Sequence, residues 1–133
     1  MQVLTLYATT AAIFLILDAI MLNTVMAPLF RQHLGDAILD SPRIVPAAVF
    51  YLFYVGGLLI LVSWSTYQDG NVLRALWQGA LLGAMAYGTY EFTNYATLAD
   101  WHPKMVITDG LWGTFLTGVS AAGGVWATRA IFG

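Results

Sequence analysis

The chain has 133 residues, 59% of them hydrophobic and only 9% charged, against about 25% charged in an ordinary soluble domain. So few charges cannot cover a soluble surface of this size, and lipid is the expected solvent. A net charge of −2 gives no footing for nucleic acid, and the lack of cysteine excludes disulfides, thiolate nucleophiles and cysteine metal sites.

The first predicted element runs from about Val3 to Met26, with Asp18 its only charge. No Lys or Arg precedes it, whereas a cleaved signal peptide has a basic start and a shorter apolar core, so a retained membrane helix is expected. A longer connection follows, from Ala27 to Arg43. Within it Leu29, Phe30, His33, Leu34, Ala37 and Ile38 recur at helical spacing, with Arg31, Gln32, Asp36 and Asp40 on the other face. That pattern predicts a short amphipathic helix lying at the membrane interface.

The second span runs from Ile44 to Tyr67 without a charge, after Ser41 as a cap and Pro42 as a first-turn proline. Asp69-Gly70-Asn71 is a tight polar turn, with Asn71 placed to cap the third span, Val72 to Leu98. Trp101-His102-Pro103-Lys104 separates it from the fourth, Met105 to Thr128. Each span is about 36 Å of helix, more than the roughly 30 Å hydrocarbon layer, so tilt is expected. The fold predicted is all-α: a single domain over 1–133 with spans at 3–26, 44–67, 72–98 and 105–128, plus the interfacial helix.

Gly79 and Gly83 form a GxxxG pair beside Ala80, Ala84 and Gly88. The fourth span carries Gly113, Thr117 and Ala121, with Thr114, Gly118 and Ala122 alongside. Small residues let helix backbones approach closely in lipid. The expected use is packing of the third span on the fourth; joining of copies or docking in a larger membrane complex is the alternative. Trp64, Tyr67, Trp77, Tyr95, Trp101 and Trp112 are expected mainly in interfacial belts.

Three acids interrupt the apolar spans: Asp18, Glu91 and Asp109. Up-down topology puts all three in one half of the bilayer, roughly 6 to 13 Å from the interface of the first and third loops. A carboxylate at a helix centre costs about 2.5–3.5 kcal/mol on insertion scales, so each needs a partner, a proton or water. Arg31, Arg43 and Lys104 are the candidate charge partners. Asn94 and Tyr87 share the face of Glu91, Trp112 shares the face of Asp109, and Tyr51 and Tyr54 lie near the same end of the second span. The expectation is a one-sided polar bowl with aromatic walls. His33 and His102 are expected as exposed loop residues; no metal set, no phosphate-binding glycine loop and no hydrolase motif is present, so no cofactor is implied.

The blocks Phe50-Tyr51-Leu52-Phe53-Tyr54-Val55-Gly56-Gly57-Leu58, Tyr87-Gly88-Thr89-Tyr90-Glu91-Phe92-Thr93-Asn94-Tyr95-Ala96-Thr97-Leu98 and Asp109-Gly110-Leu111-Trp112-Gly113-Thr114 resemble the bacterial membrane-protein family called domain of unknown function 2177. The resemblance covers nearly the whole chain and implies a small multi-pass protein of the bacterial inner membrane, with no assigned activity. The family usually has Asp where this chain has Glu91, and often Trp where it has Met21.

Three function classes fit these features. The first is an accessory or structural membrane subunit with a one-sided polar site. The second is a binding or permeation element for a cation, proton or small polar molecule. The third is a lipid-acting enzyme using the acids for proton transfer, for which no nucleophile can be named. Arg31, Arg43 and Lys104 on one side balance Arg74, Arg129 and the terminal amine on the other. The acidic half is placed towards the cytoplasm because its cations are all side chains.

Overall fold

The backbone turns where the sequence supplies punctuation. The computed structural model describes residues 1–39 and 43–133; Asp40, the Ser41 cap and Pro42 lie outside the described residues. Helix α1 (Gln2–Met21) runs through a π-helical turn (Leu22–Met26) into α2 (Ala27–Leu34), which ends in a 3-10 turn (Gly35–Ala37). Helix α3 (Ile44–Leu58) passes through a second π-helical turn (Leu59–Ser63) into α4 (Trp64–Asp69), followed by α5 (Val72–Thr97) and α6 (Pro103–Phe132). No strand occurs among the described residues.

A helix forms where the short amphipathic one is predicted, but not as a separate element. Leu22 (φ −60°, ψ −45°) and Ala27 (φ −63°, ψ −46°) keep helical dihedrals, so α2 continues directly from α1. Pro28 explains the wide turn: it lacks an N–H, and its ring would clash with the preceding helical turn unless that turn opened. Gly35, at φ 55°, ends the long helix in a conformation that a side chain disfavours.

At the other end of the molecule, Gly70 (φ 67°) closes α4, and the Asn71 side chain accepts the Arg74 backbone N–H at 2.9 Å, capping α5 as its sequence position predicts. Arg129 donates to the Tyr67 carbonyl at 2.8 Å, satisfying a C-terminal acceptor of α4. The His102 ring caps α6 by accepting the Lys104 N–H at 3.0 Å, with Pro103 following as a first-turn proline.

Two segments, Gln2–Ala37 and Ile44–Asp69, are long and apolar enough to cross a membrane. Helices α5 and α6 have 26 and 30 residues but carry more Gly, Thr and Tyr. Much of that polarity faces inward. Thr117, Ser120 and Thr128 of α6 are fully buried, whereas Phe53, Ile60, Leu73, Leu111 and Trp126 point outward. This is the reverse of a water-soluble surface.

Helix α6 is the centre, packed by α5 on one side and α1 on another. Gly79 and Gly83 meet Gly113, Thr117, Gly118 and Ala121, and a methyl at Gly118 would lie 2.8 Å from the Leu76 carbonyl oxygen. The Gly79–Gly83 and Gly113–Gly118 parts of the small-residue faces, weighed above as surfaces for joining copies, are thus occupied within the chain. Contact between lipid-borne helices depends on van der Waals fit, because lipid tails are as apolar as Leu. One apolar cluster, including Leu6, Phe14, Val55, Leu58, Leu116 and Val125, fills the bundle. A second, formed by Met26, Leu29, Trp101, Met105 and Val106, covers the end where the acids lie.

Candidate functional site

Each of the three acids is positioned by its own helix. Asp18 sits one turn before the π-helical turn, near the end of α1; Glu91 lies in the last two turns of α5; Asp109 lies in the second turn of α6. Asp18 and Asp109 are each 8% exposed and Glu91 is fully buried. Asp18 Oδ1 accepts the Trp112 indole N–H at 3.1 Å, and the Tyr51 hydroxyl lies beside the same carboxylate. Glu91 Oε1 accepts the Trp101 indole N–H at 2.9 Å, while Oε2 is buried without a hydrogen-bond partner among the described residues. The carboxyls of Glu91 and Asp109 are neighbours.

Neither carboxylate of that pair can donate to the other without an added proton. Two adjacent acids in a low-dielectric interior repel, so a shared proton or a cation is needed to offset the charge. The expected cationic partners do not supply it. Arg31, Arg43 and Lys104 are exposed, and the ion pair found among the described residues is Arg74–Asp69 at 2.6 Å, at the opposite end. The physical reason is position: these three cations sit on the exposed surface, while Glu91 is held under Trp101 and Asp18 and Asp109 face the inside of the bundle. Indole N–H groups, which carry no net charge, occupy the places expected for guanidinium or ammonium.

Between α1, α3, α5 and α6 lies a cavity of about 430 Å³. Asp18 and Asp109 line it, together with Tyr51, Tyr54, Tyr87 and Tyr90; Leu22 and Met26 of the first π-helical turn complete one wall. The aromatic walls are braced. Phe14 packs on Tyr51 and Tyr54 with ring centroids 5.7 and 5.5 Å apart. The Tyr54 hydroxyl is 3.0 Å from the Thr117 hydroxyl, and the Tyr87 ring rests on Gly113, where a methyl would overlap it. Gly113 is therefore a seat for Tyr87 as well as a small residue in a stripe.

Of the residues singled out in sequence, Asp18, Asp109, Tyr51, Tyr54 and Tyr87 meet at this cavity; Trp112 reaches it through Asp18, and Glu91 stands behind Asp109. Asn94 is peripheral: half-buried and beside Tyr90. Two residues were missed. Trp101, expected in an interfacial belt, is 7% exposed and donates to Glu91. Tyr90 lines the cavity next to Trp101, with ring centroids 5.9 Å apart. Its spacing of three from Tyr87 was the available signal. The His33 and His102 rings pack at a tilt with centroids 4.4 Å apart, His33 half-buried and His102 exposed.

An apolar exterior, inward-facing polar side chains and long apolar helices define an α-helical membrane protein. The family model described as a predicted membrane protein, DUF2177, matches residues 3–126, and the chain belongs to that family. No curated protein and no solved structure matches the chain.

Proposed function

We propose that the protein is a multi-pass protein of the cell inner membrane with four spans, and that its acidic cavity is a one-sided binding site for a cation. The spans are α1 with its π-helical turn, α3 through α4, α5, and α6. The observation that carries the reading is Asp109: a carboxylate 8% exposed, lining a cavity, whose polar neighbour is another carboxyl. Burying such a group ionised and uncompensated costs several kcal/mol; a bound cation would offset that cost, in competition with a proton shared between the two carboxyls. The first π-helical turn, a feature frequent at functional sites, forms part of the wall.

Ligand linkage tests the site. Titrating the detergent-solubilised protein with sodium, potassium and tetramethylammonium salts should raise its unfolding temperature for at least one cation. A site at a hundredfold excess over its dissociation constant gives about 2.7 kcal/mol. Asp109→Asn should remove the rise; equal behaviour of wild type and variant with every salt would dismiss the reading. For topology, Asn71→Cys and Asp100→Cys should label from opposite sides of the membrane. Labelling of both from one side would refute four spans.

The second reading, an accessory subunit, is supported by the tryptophan–carboxylate links, which join α1 to α6 and the α5–α6 connection to α5. Such links are also what a purely structural use of buried acids requires.

A further inference from the structure

Building on the cation-site reading, we propose that the occupant is a lipophilic organic monocation: an ammonium-type centre on a hydrocarbon or aromatic body. Three properties of the cavity point to that class. Its volume, about 430 Å³, is that of a small-molecule pocket and far exceeds a bare metal ion. Hard metal ions take six or more oxygen ligands, whereas most of this lining is ring and hydrocarbon, from Leu22, Met26, Phe30 and Phe50 besides the tyrosines. Four tyrosine rings with two carboxylates form the combination that attracts quaternary ammonium groups: ring faces surround the cation and an anion balances it.

The route of entry agrees with an apolar ligand. Helix α6 packs on both α5 and α1, and α3 packs on α1, so the cavity lies on the side where α3 and α5 are held apart. Phe50 of α3 and Tyr90 of α5 line it and are 59% and 53% exposed. In the four-span reading, the gap between these two helices borders the hydrocarbon that surrounds the bundle. A charge on an apolar body can travel that way, while a hydrated inorganic ion cannot without shedding its water. The same chemistry could reach the cavity from two sources: a free lipophilic amine, or the choline end of a membrane lipid.

The probe is benzyltrimethylammonium, compared with its neutral carbon isostere, neopentylbenzene, and with sodium. Calorimetric titration of the full chain in phosphatidylglycerol nanodiscs should show saturable binding of the ammonium, at least tenfold tighter than the isostere. Asp109→Asn should weaken binding tenfold or more. Asp18 also holds Trp112, so the second variant is Ala86→Leu, which fills the cavity from an α5 position on its lining and should abolish binding in a protein that elutes and unfolds like wild type. Weaker apparent affinity in phosphatidylcholine nanodiscs would identify the lipid as the source, and unchanged affinity the free amine; both uphold the class. Equal binding of the isostere, or wild-type affinity in Ala86→Leu, would overturn it. Sodium binding without competition from the ammonium would overturn it while leaving the cation site standing; binding of neither would remove both.

Discussion

Replacement of Gly83 by Ala tests the central contact of the bundle. A methyl there would overlap the Gly113 carbonyl and lie 2.7 Å from Thr117 Oγ1 and 2.8 Å from Thr117 Cβ, more than half an ångström inside ordinary contact. Two of these obstacles belong to the α6 backbone or the branch point of a side chain, so α5 and α6 must separate. Overpacking of this kind costs about 1–3 kcal/mol. Thr117 also holds the Tyr54 hydroxyl at 3.0 Å, and moving it forfeits about 1 kcal/mol more. Gly88→Ala is the control, because a methyl there meets nothing within 4 Å. Both substitutions gain about the same helix propensity, roughly 1 kcal/mol, so their difference isolates packing. That difference should be about 2–4 kcal/mol, read by reversible unfolding in mixed micelles. Equal stability of the two variants would refute the packing argument. A change of oligomer size with unaltered unfolding would instead make Gly79 and Gly83 a surface between copies.

Four further substitutions probe the ends of the bundle. Trp101→Phe keeps an aromatic ring over Phe30 and Met105 but leaves Glu91 with both oxygens unpartnered, so it should destabilise by about 1–3 kcal/mol. Glu91→Gln in the same chain should recover part of that loss, and a double-mutant cycle in the same unfolding assay measures the coupling. Asn71→Ala should cost about 1 kcal/mol through loss of the α5 cap, whereas Asp69→Asn, which breaks a partly exposed ion pair, should cost less than about 1 kcal/mol and lose its effect at high salt.

How much was legible depended on whether the signal was local. Helix ends were, because caps and turns act over a few residues: Asn71, Gly70 and Pro103 stand where their chemistry requires. The lipid-facing composition was equally plain, since it needs only a count of charges. Contiguity of α1 and α2 was not, because Pro28 suggests a break and only the backbone shows a wide π-helical turn absorbing it. Helical registers brought Asp18, Glu91 and Asp109 to one end of the bundle, as topology requires of helices that alternate in direction. Their partners lay beyond that reasoning. A search for charge selects Arg31, Arg43 and Lys104, yet the groups within reach are the Trp112 and Trp101 indoles, placed by packing of α6 on α1 and by the short connection between α5 and α6.

Sequence alone determined the solvent, the helices and the end of the bundle that carries the acids, because composition, periodicity and capping are properties of neighbouring residues. Tertiary structure decided that two of the acids share a tyrosine-walled cavity, that Glu91 stands behind Asp109, and that Gly113 makes room for Tyr87. Those facts depend on how far four helices diverge from one another, and that distance is set by side chains meeting across the bundle.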